Sequence, residues 1–298
     1  MNGNHYQAKK QWRIIDLIQW TTQFFEKKQI PNARLNAEHL LSQALGLERV
    51  QLYLQFEKIL TQNELNLYRE NVKRRLNSEP LQYILGETEF MSLKFRLNPS
   101  VLIPRPDTEI LIEQVIHQTP NNLDVTILDI GTGSGNIAVS LAYYLPKSRI
   151  VAVDISPDAL NLAEENAALN HVEDRVTFIQ EDVFSVDFVL KIGQNFDRIV
   201  SNPPYISEAE FQTLPDEVRK FEPPAALRDG ADGLTFHRKL AELSGQMLNP
   251  GGKIYLEVGM GQWQSVQKIL AEKGFQNIQV AKDLVGIDRV LIGEKKVL

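Results

Sequence analysis

The sequence predicts an α/β protein: a seven-stranded, mostly parallel sheet preceded by a small all-helical N-terminal domain. Three observations lead there. Apolar residues recur at helical spacing from Ile14 to Leu76, and from Val125 onward short β-branched runs alternate with helical patterns. Two of those runs end in segments that cannot continue a sheet, Gly131-Thr132-Gly133-Ser134-Gly135 and Asn202-Pro203-Pro204-Tyr205.

In residues 12–28, Ile14, Ile15, Ile18, Thr21 and Phe25 share a helix face that Leu17, Trp20 and Phe24 widen. Asn36 is placed to cap a second helix, in which Ala37, Leu40, Leu41, Ala44 and Leu45 keep the period until Gly46 stops it. A short amphipathic piece spans Val50–Phe56, and Thr61 with Glu64 makes a capping-box pair ahead of Leu65, Tyr68, Val72 and Leu76. Residues 1–80 thus read as a helical bundle, serving either for packing or as a docking domain for a macromolecular substrate. Residues 81–103 read as a β-hairpin linker, with Phe90, Leu93, Phe95 and Leu97 at strand spacing. Residues 104–298 form the second domain. Pro104-Arg105-Pro106 opens a helix, and an arginine held between two prolines can meet a carboxylate or simply face solvent.

Seven strands are then expected, at Val125–Ile130, Arg149–Asp154, Val176–Gln180, Asp197–Ser201, Lys253–Val258, Phe275–Val280 and Arg289–Gly293. Helices are expected at Ile137–Tyr144, Asp158–Leu169, Leu234–Met247 and Gln262–Glu272.

Composition removes several functions. The 298 residues, 43% hydrophobic, suffice for two domains and a real core. Lys+Arg 32 against Asp+Glu 38, a net charge of −6, argues against holding a long phosphate backbone, so no nucleic-acid substrate is expected. With no cysteine there are no disulfides, thiolate metal sites or cysteine nucleophiles, and the five histidines lack ligand spacing. No apolar run approaches the ~20 residues that span a membrane. The opening is not a secretory signal, since Asp16 interrupts its apolar residues. A cytoplasmic monomer without a membrane partner is the expectation, while Lys9, Lys10 and Arg13 leave an organelle-targeting role open.

The glycine segment Asp129-Ile130-Gly131-Thr132-Gly133-Ser134-Gly135 turns a buried strand into a helix. Alternate glycines let the backbone approach a ligand, and the helix N-terminus beyond offers free N–H groups to a carboxylate. Asp154, ending the next strand, is placed to accept from two ribose hydroxyls. A dinucleotide fingerprint would need a glycine where Asn136 stands, and Asp129 suits a cationic amino group better than a pyrophosphate. Glu181-Asp182-Val183-Phe184, after the third strand, adds an acid that can take an adenine amino hydrogen and apolar groups to wall the ring. Adenosine joined to an amino-acid tail is S-adenosyl-L-methionine. In Asn202-Pro203-Pro204-Tyr205, two prolines fix an extended lip whose carbonyls and Asn202 amide can accept from a planar NH2 group, with Tyr205 covering its face.

These motifs, with Leu102-Ile103-Pro104-Arg105-Pro106-Asp107-Thr108-Glu109, Glu222-Pro223-Pro224-Ala225-Ala226-Leu227 and Asp232-Gly233-Leu234, resemble nearly end to end the protein-(glutamine-N5) methyltransferases of peptide chain release factors, the HemK/PrmC family. The resemblance implies a Rossmann-like class I methyltransferase fold. It also implies methyl transfer from S-adenosyl-L-methionine, leaving S-adenosyl-L-homocysteine, to the side-chain amide of the glutamine in the Gly-Gly-Gln motif of class 1 release factors. By position, Asp129, Gly131, Thr132, Gly133, Ser134, Gly135, Asp154, Asp182 and Val183 would hold the cofactor, with Asn202 beside it. Asn202, Pro203, Pro204 and Tyr205 would hold the glutamine, with Asn202, Pro203 and Tyr205 catalytic. Ser134 and the aliphatic Val183 depart mildly from the pattern and bear on affinity. The alternatives weighed are a ribosomal-protein glutamine methyltransferase, an amino-DNA (N6-adenine) methyltransferase, which shares the tetrapeptide and must flip its base, and a non-catalytic S-adenosylmethionine-binding adaptor.

Overall fold

The computed structural model describes residues 11–120 and 122–297; Lys9 and Lys10 of the targeting question lie outside the described residues. The chain divides into two compact units, 1–86 and 87–298.

In the first unit, α1 (Ile14–Lys27), α2 (Ala33–Leu45), α3 (Arg49–Leu54), α4 (Gln62–Leu76) and α5 (Leu81–Leu85) enclose a core of Ile14, Leu17, Ile18, Phe25, Leu40, Leu41, Tyr68 and Val72. Gly46 ends α2 in the left-handed region, and Thr61 and Glu64 form the expected capping box on α4. Asn36 is not a cap. The helix starts earlier, after Asn32, and Asn36 lies buried in its first turn, donating to the Pro31 and Asn32 carbonyls and accepting from Arg75 Nε at 2.8 Å. Its side chain spends its hydrogen bonds tying α2 to α4.

The expected hairpin also begins later than residue 81. Leu81–Leu85 is a helix that buries Tyr83 and Ile84, closed by Gly86 at φ 76°, with Gln43 Nε2 donating to the Ile84 carbonyl at 2.7 Å. Burial of those side chains outweighs their strand propensity. The hairpin is β1 (Glu87–Phe90) against β2 (Leu93–Arg96).

The second unit continues with α6 (Pro106–His117), β3 (Thr126–Ile130), α7 (Asn136–Tyr144), β4 (Arg149–Asp154), α8 (Pro157–Leu169), β5 (Val176–Gln180), α9 (Phe188–Ile192) and β6 (Phe196–Ser201). Then come α10 (Glu208–Phe211), α11 (Asp216–Phe221), α12 (Pro224–Leu227), α13 (Thr235–Met247), β7 (Leu248–Glu257), α14 (Trp263–Glu272), β8 (Phe275–Lys282) and β9 (Asp288–Lys295). The sheet order is β5-β4-β3-β6-β7-β9-β8, with β9 antiparallel to both its neighbours and the other pairings parallel. β7 starts at Leu248, ahead of Pro250-Gly251-Gly252, which reads as a turn. Leu248 pairs with Phe196 across a register shift, and Asn249 Nδ2 anchors the irregularity on Asp197 Oδ1 at 2.8 Å.

Alternation along the strands sorts two apolar layers. Ile127, Ile150, Ala152, Val200, Tyr255 and Ile292 face α6 and α7; Leu128, Ile130, Val151, Val153, Ile199 and Leu256 face α9, α13 and α14. The sheet is therefore covered on both sides. Function is left to the loops at the carboxyl ends of β3, β4, β5 and β6, and the strand order reverses at β3.

Candidate active site

The loop after β3 is pinned by its own backbone. Gly131 N and Thr132 N both donate to the Val153 carbonyl, at 2.8 and 3.0 Å, and Gly135 N donates to Thr132 O. Gly131, Gly133 and Gly135 have φ of 76°, 54° and 79°, a region unfavourable to side chains. A Cβ on Gly131 or Gly133 would meet nothing within 4 Å, so these two glycines face open space, whereas one on Gly135 would press on Ala163 Cβ at 3.0 Å. The first two are thus free for close approach by a ligand, and the third is needed for packing against α8. Asn166 of α8, donating to the Ser134 carbonyl at 2.9 Å and bracketing Arg96 N and O, holds the loop from behind. Ser134 itself is buried.

Asp129 is fully buried. Its Oδ2 accepts from the Thr132 hydroxyl at 2.7 Å, and its Oδ1 has no partner among the described residues. Burial pushes its carboxyl up to about 7, with the neighbouring Asp154 adding to the rise, against the opposing hydrogen bond from the Thr132 hydroxyl and the pull of the Ala138 backbone N–H. An ammonium group would complete this orphaned oxygen, which is the fit that an S-adenosylmethionine amino group requires. Asp154 accepts from Gly133 N at 2.9 Å and Ser156 N at 3.0 Å, one bond on each oxygen, which leaves each a lone pair for a ribose hydroxyl. After β5, Glu181 is taken by Lys191 at 2.7 Å, so Asp182 is the acid left for an adenine amino group. Val183 is mostly packed into the core, and Ile155 and Phe184 are the exposed apolar side chains beside these two acids. Ile155 escaped the sequence reading because one exposed aliphatic residue after a strand carries no pattern.

The lip after β6 stands beside this loop, because β6 pairs with β3 and Ser201 Oγ donates to the Ile130 carbonyl at 2.6 Å. Asn202 Nδ2 donates to Thr108 Oγ1 at 3.1 Å. The Pro203 carbonyl accepts no hydrogen bond among the described residues, as an acceptor waiting for a ligand would; the Tyr205 carbonyl, expected to be equally free, is taken by Gln262 Nε2 at 2.9 Å. Tyr205 is half-buried, and its hydroxyl donates to Glu257 Oε1 at 3.2 Å; burial, then the neighbouring Glu257, raises its pKa. Glu257, 1% exposed at the end of β7, also accepts from the Thr108 hydroxyl at 2.7 Å, and burial pushes its carboxyl up to about 7. Sequence reading passed over both Thr108 and Glu257. The signal available was an acid ending the apolar run Ile254-Tyr255-Leu256.

The segment 102–109 finds a partner at almost every polar position. Arg105 Nη2 meets Glu222 Oε1, and the same carboxylate takes Ile103 N at 3.2 Å; Asp107 pairs with Arg289 at 3.0 Å; Glu109 accepts from Met91 N at 2.7 Å. The arginine between prolines therefore meets a carboxylate, and the two motifs around residues 105 and 222 are one contact.

Residues 16–86 match the family model described as PrmC N-terminal domain, and residues 121–257 match a methyltransferase domain. The release factor glutamine methyltransferase of Geobacter sulfurreducens is 46% identical over 283 residues, covering 95% of this chain and 96% of the relative. The chain belongs to the release factor glutamine methyltransferase family. The family member of Rhodopirellula baltica is 42% identical over 290 residues, 95% of this chain and 97% of its own. Among solved structures, a methyltransferase from Pyrococcus furiosus superposes with a TM-score of 0.50 at 20% identity, covering 70% of this chain and 91% of that one. A Thermus thermophilus 16S rRNA methyltransferase in complex with AdoMet and guanosine reaches 0.51 at 20% identity, over 70% and 50%. At such identities these two attest the Rossmann-like class I methyltransferase fold. As a member of this family the protein is an S-adenosylmethionine-dependent methyltransferase.

Proposed function

We infer that the protein methylates the side-chain amide nitrogen of the glutamine in the Gly-Gly-Gln motif of class 1 peptide chain release factors. The observation that carries the reading is the pairing of β3 with β6, which sets the Asn202-Pro203-Pro204-Tyr205 lip against the glycine loop. The names of the relatives favour a release factor over a ribosomal protein or an amino group of DNA.

When bound, S-adenosyl-L-methionine supplies the methyl group on a positive sulfur and departs as S-adenosyl-L-homocysteine. Asp129 Oδ1 would hold its amino group, the N–H groups at the N-terminus of α7 its carboxylate, Asp154 its ribose, and Asp182 with Val183 its adenine. The substrate nitrogen is a poor nucleophile because its lone pair is delocalised into the carbonyl. Placement must make up the difference. Asn202 Oδ1 and the Pro203 carbonyl would each accept one amide hydrogen, aiming the nitrogen at the methyl carbon, while Pro204 and Tyr205 bound the slot around the amide plane. The N–C bond forms as the C–S bond breaks with its electron pair going to sulfur. The methylated nitrogen then loses a proton to water, so no strong base is needed.

Selectivity for a whole release factor needs more surface than one loop offers. The helical unit carries exposed Val50, Tyr53, Leu54, Phe56 and Ile59 on α3 and the turn after it, and we assign it the docking role. A cytoplasmic monomer that takes no nucleic-acid substrate completes the reading, in keeping with the net charge of −6.

The test is Asn202→Ala. Turnover on release factor is expected to fall roughly 10²–10³-fold, as for loss of one preorganised polar contact, while calorimetry shows cofactor binding weakened far less. Near-normal turnover would remove Asn202 from the mechanism.

A further inference from the structure

Behind Asn202 lies a buried polar relay that the reaction as derived above does not use. Thr108, 1% exposed in the first turn of α6, donates its hydroxyl hydrogen to Glu257 Oε2 at 2.7 Å, and receives Asn202 Nδ2 at 3.1 Å. The Tyr205 hydroxyl donates to the other carboxylate oxygen at 3.2 Å. Above about pH 7 the Glu257 carboxylate is ionised and only accepts, and a hydroxyl has one hydrogen to give. Once that hydrogen is committed to Glu257, Thr108 offers Asn202 a lone pair alone. Asn202 can then meet it only through its NH2 group, which turns Oδ1 the other way.

Both members of the relay are held from outside it. His237 Nε2 bonds the Glu257 carbonyl at 3.0 Å, and α6 is fixed at its start by the Arg105–Glu222 and Asp107–Arg289 pairs. Without the relay, the amide of Asn202 would be free to present its NH2 to the substrate, where two donors would oppose each other and the glutamine nitrogen would lose its aim.

We propose that Thr108 and Glu257 are positioning residues that lock the Asn202 amide with its oxygen toward the substrate, so that the reactive nitrogen is met by an acceptor. The proposal rests on the reading of Asn202 as the acceptor of a substrate amide hydrogen. It gives the segment 102–109 a part in turnover that cofactor binding does not require.

The experiment measures kcat and KM on intact release factor, cofactor affinity by calorimetry, and thermal unfolding, for the parent, Thr108→Val, Thr108→Ser and Asn202→Ala. Valine keeps the shape of threonine and loses the hydroxyl. Expected for Thr108→Val is a kcat lower by about 10- to 100-fold, the scale of a small misplacement of a reacting group. KM and cofactor affinity should stay within about twofold, and Thr108→Ser, which keeps the hydroxyl, should regain most of the turnover. If Thr108→Val turns over like the parent while Asn202→Ala is inactive, the relay is idle and the proposal fails alone. If valine and serine variants are equally impaired and cofactor binding falls with them, Thr108 serves packing and the proposal again fails. An active Asn202→Ala would instead overturn the underlying reading of Asn202.

Discussion

Replacing Asp129 by asparagine separates two effects of one carboxylate. The side chain is fully buried with one oxygen unpartnered, and its carboxyl is raised from an ordinary 3.8 to about 7, with burial the largest cause. The unfolded chain therefore ionises before the folded one. The folded state binds this proton more tightly, so the contribution of Asp129 to stability is greatest below about pH 4 and declines as pH rises through the interval from 3.8 to 7. A rise of that size corresponds to roughly 4 kcal/mol. Asparagine carries no charge, so without cofactor the Asp129→Asn variant should be more stable than the parent at neutral pH by a sizeable part of that amount, read by thermal or denaturant unfolding. A ligand ammonium against Oδ1 reverses the balance by favouring the ionised carboxylate. Parent affinity for S-adenosylmethionine should then rise with pH, approaching about tenfold per pH unit below 7 and levelling above it, while Asp129→Asn binds weakly and without this slope. Calorimetry in two buffers of different ionisation enthalpy reads affinity and proton release together. A parent affinity independent of pH from about 5.5 to 7, or an Asp129→Asn variant that binds like the parent, would refute the argument.

Two further substitutions probe the supports of the lip. In Gly233→Ala the new Cβ would lie 2.6 Å from both the Tyr205 carbonyl and Gln262 Nε2 at φ 85°, so turnover should collapse with cofactor affinity largely kept; parental kcat would show that the lip tolerates displacement. Arg105→Ala strips the 3%-exposed Glu222 of its cation and should cost about 3 kcal/mol in unfolding free energy. Adding Glu222→Gln should recover part of that loss, and no loss in the single variant would mean that the pair does not hold the segment.

The parallel strands were legible because each is a short β-branched run closed by a turn signal, and the loop Gly131–Gly135 and the lip Asn202–Tyr205 because they interrupt such runs with residues of fixed conformational meaning. What local pattern does not carry is partnership. Glu257 meets Thr108 and Arg105 meets Glu222 across separations of 149 and 117 residues, and no spacing encodes either. The insertion of β9 between β7 and β8 is likewise a matter of pairing, not of period. Short helices such as α9, α10 and α12 span too few residues to show a helical stripe. At Leu81–Leu85, tertiary burial of Tyr83 and Ile84 overrode local preference.

The most direct measurement is peptide-level mass spectrometry of a purified class 1 release factor after incubation with this protein and S-adenosylmethionine. A gain of one methyl on the glutamine of Gly-Gly-Gln is expected, absent when Asn202→Ala replaces the parent. An unmodified glutamine in the presence of protein shown by calorimetry to bind the cofactor, or a methyl on any other residue, would contradict it.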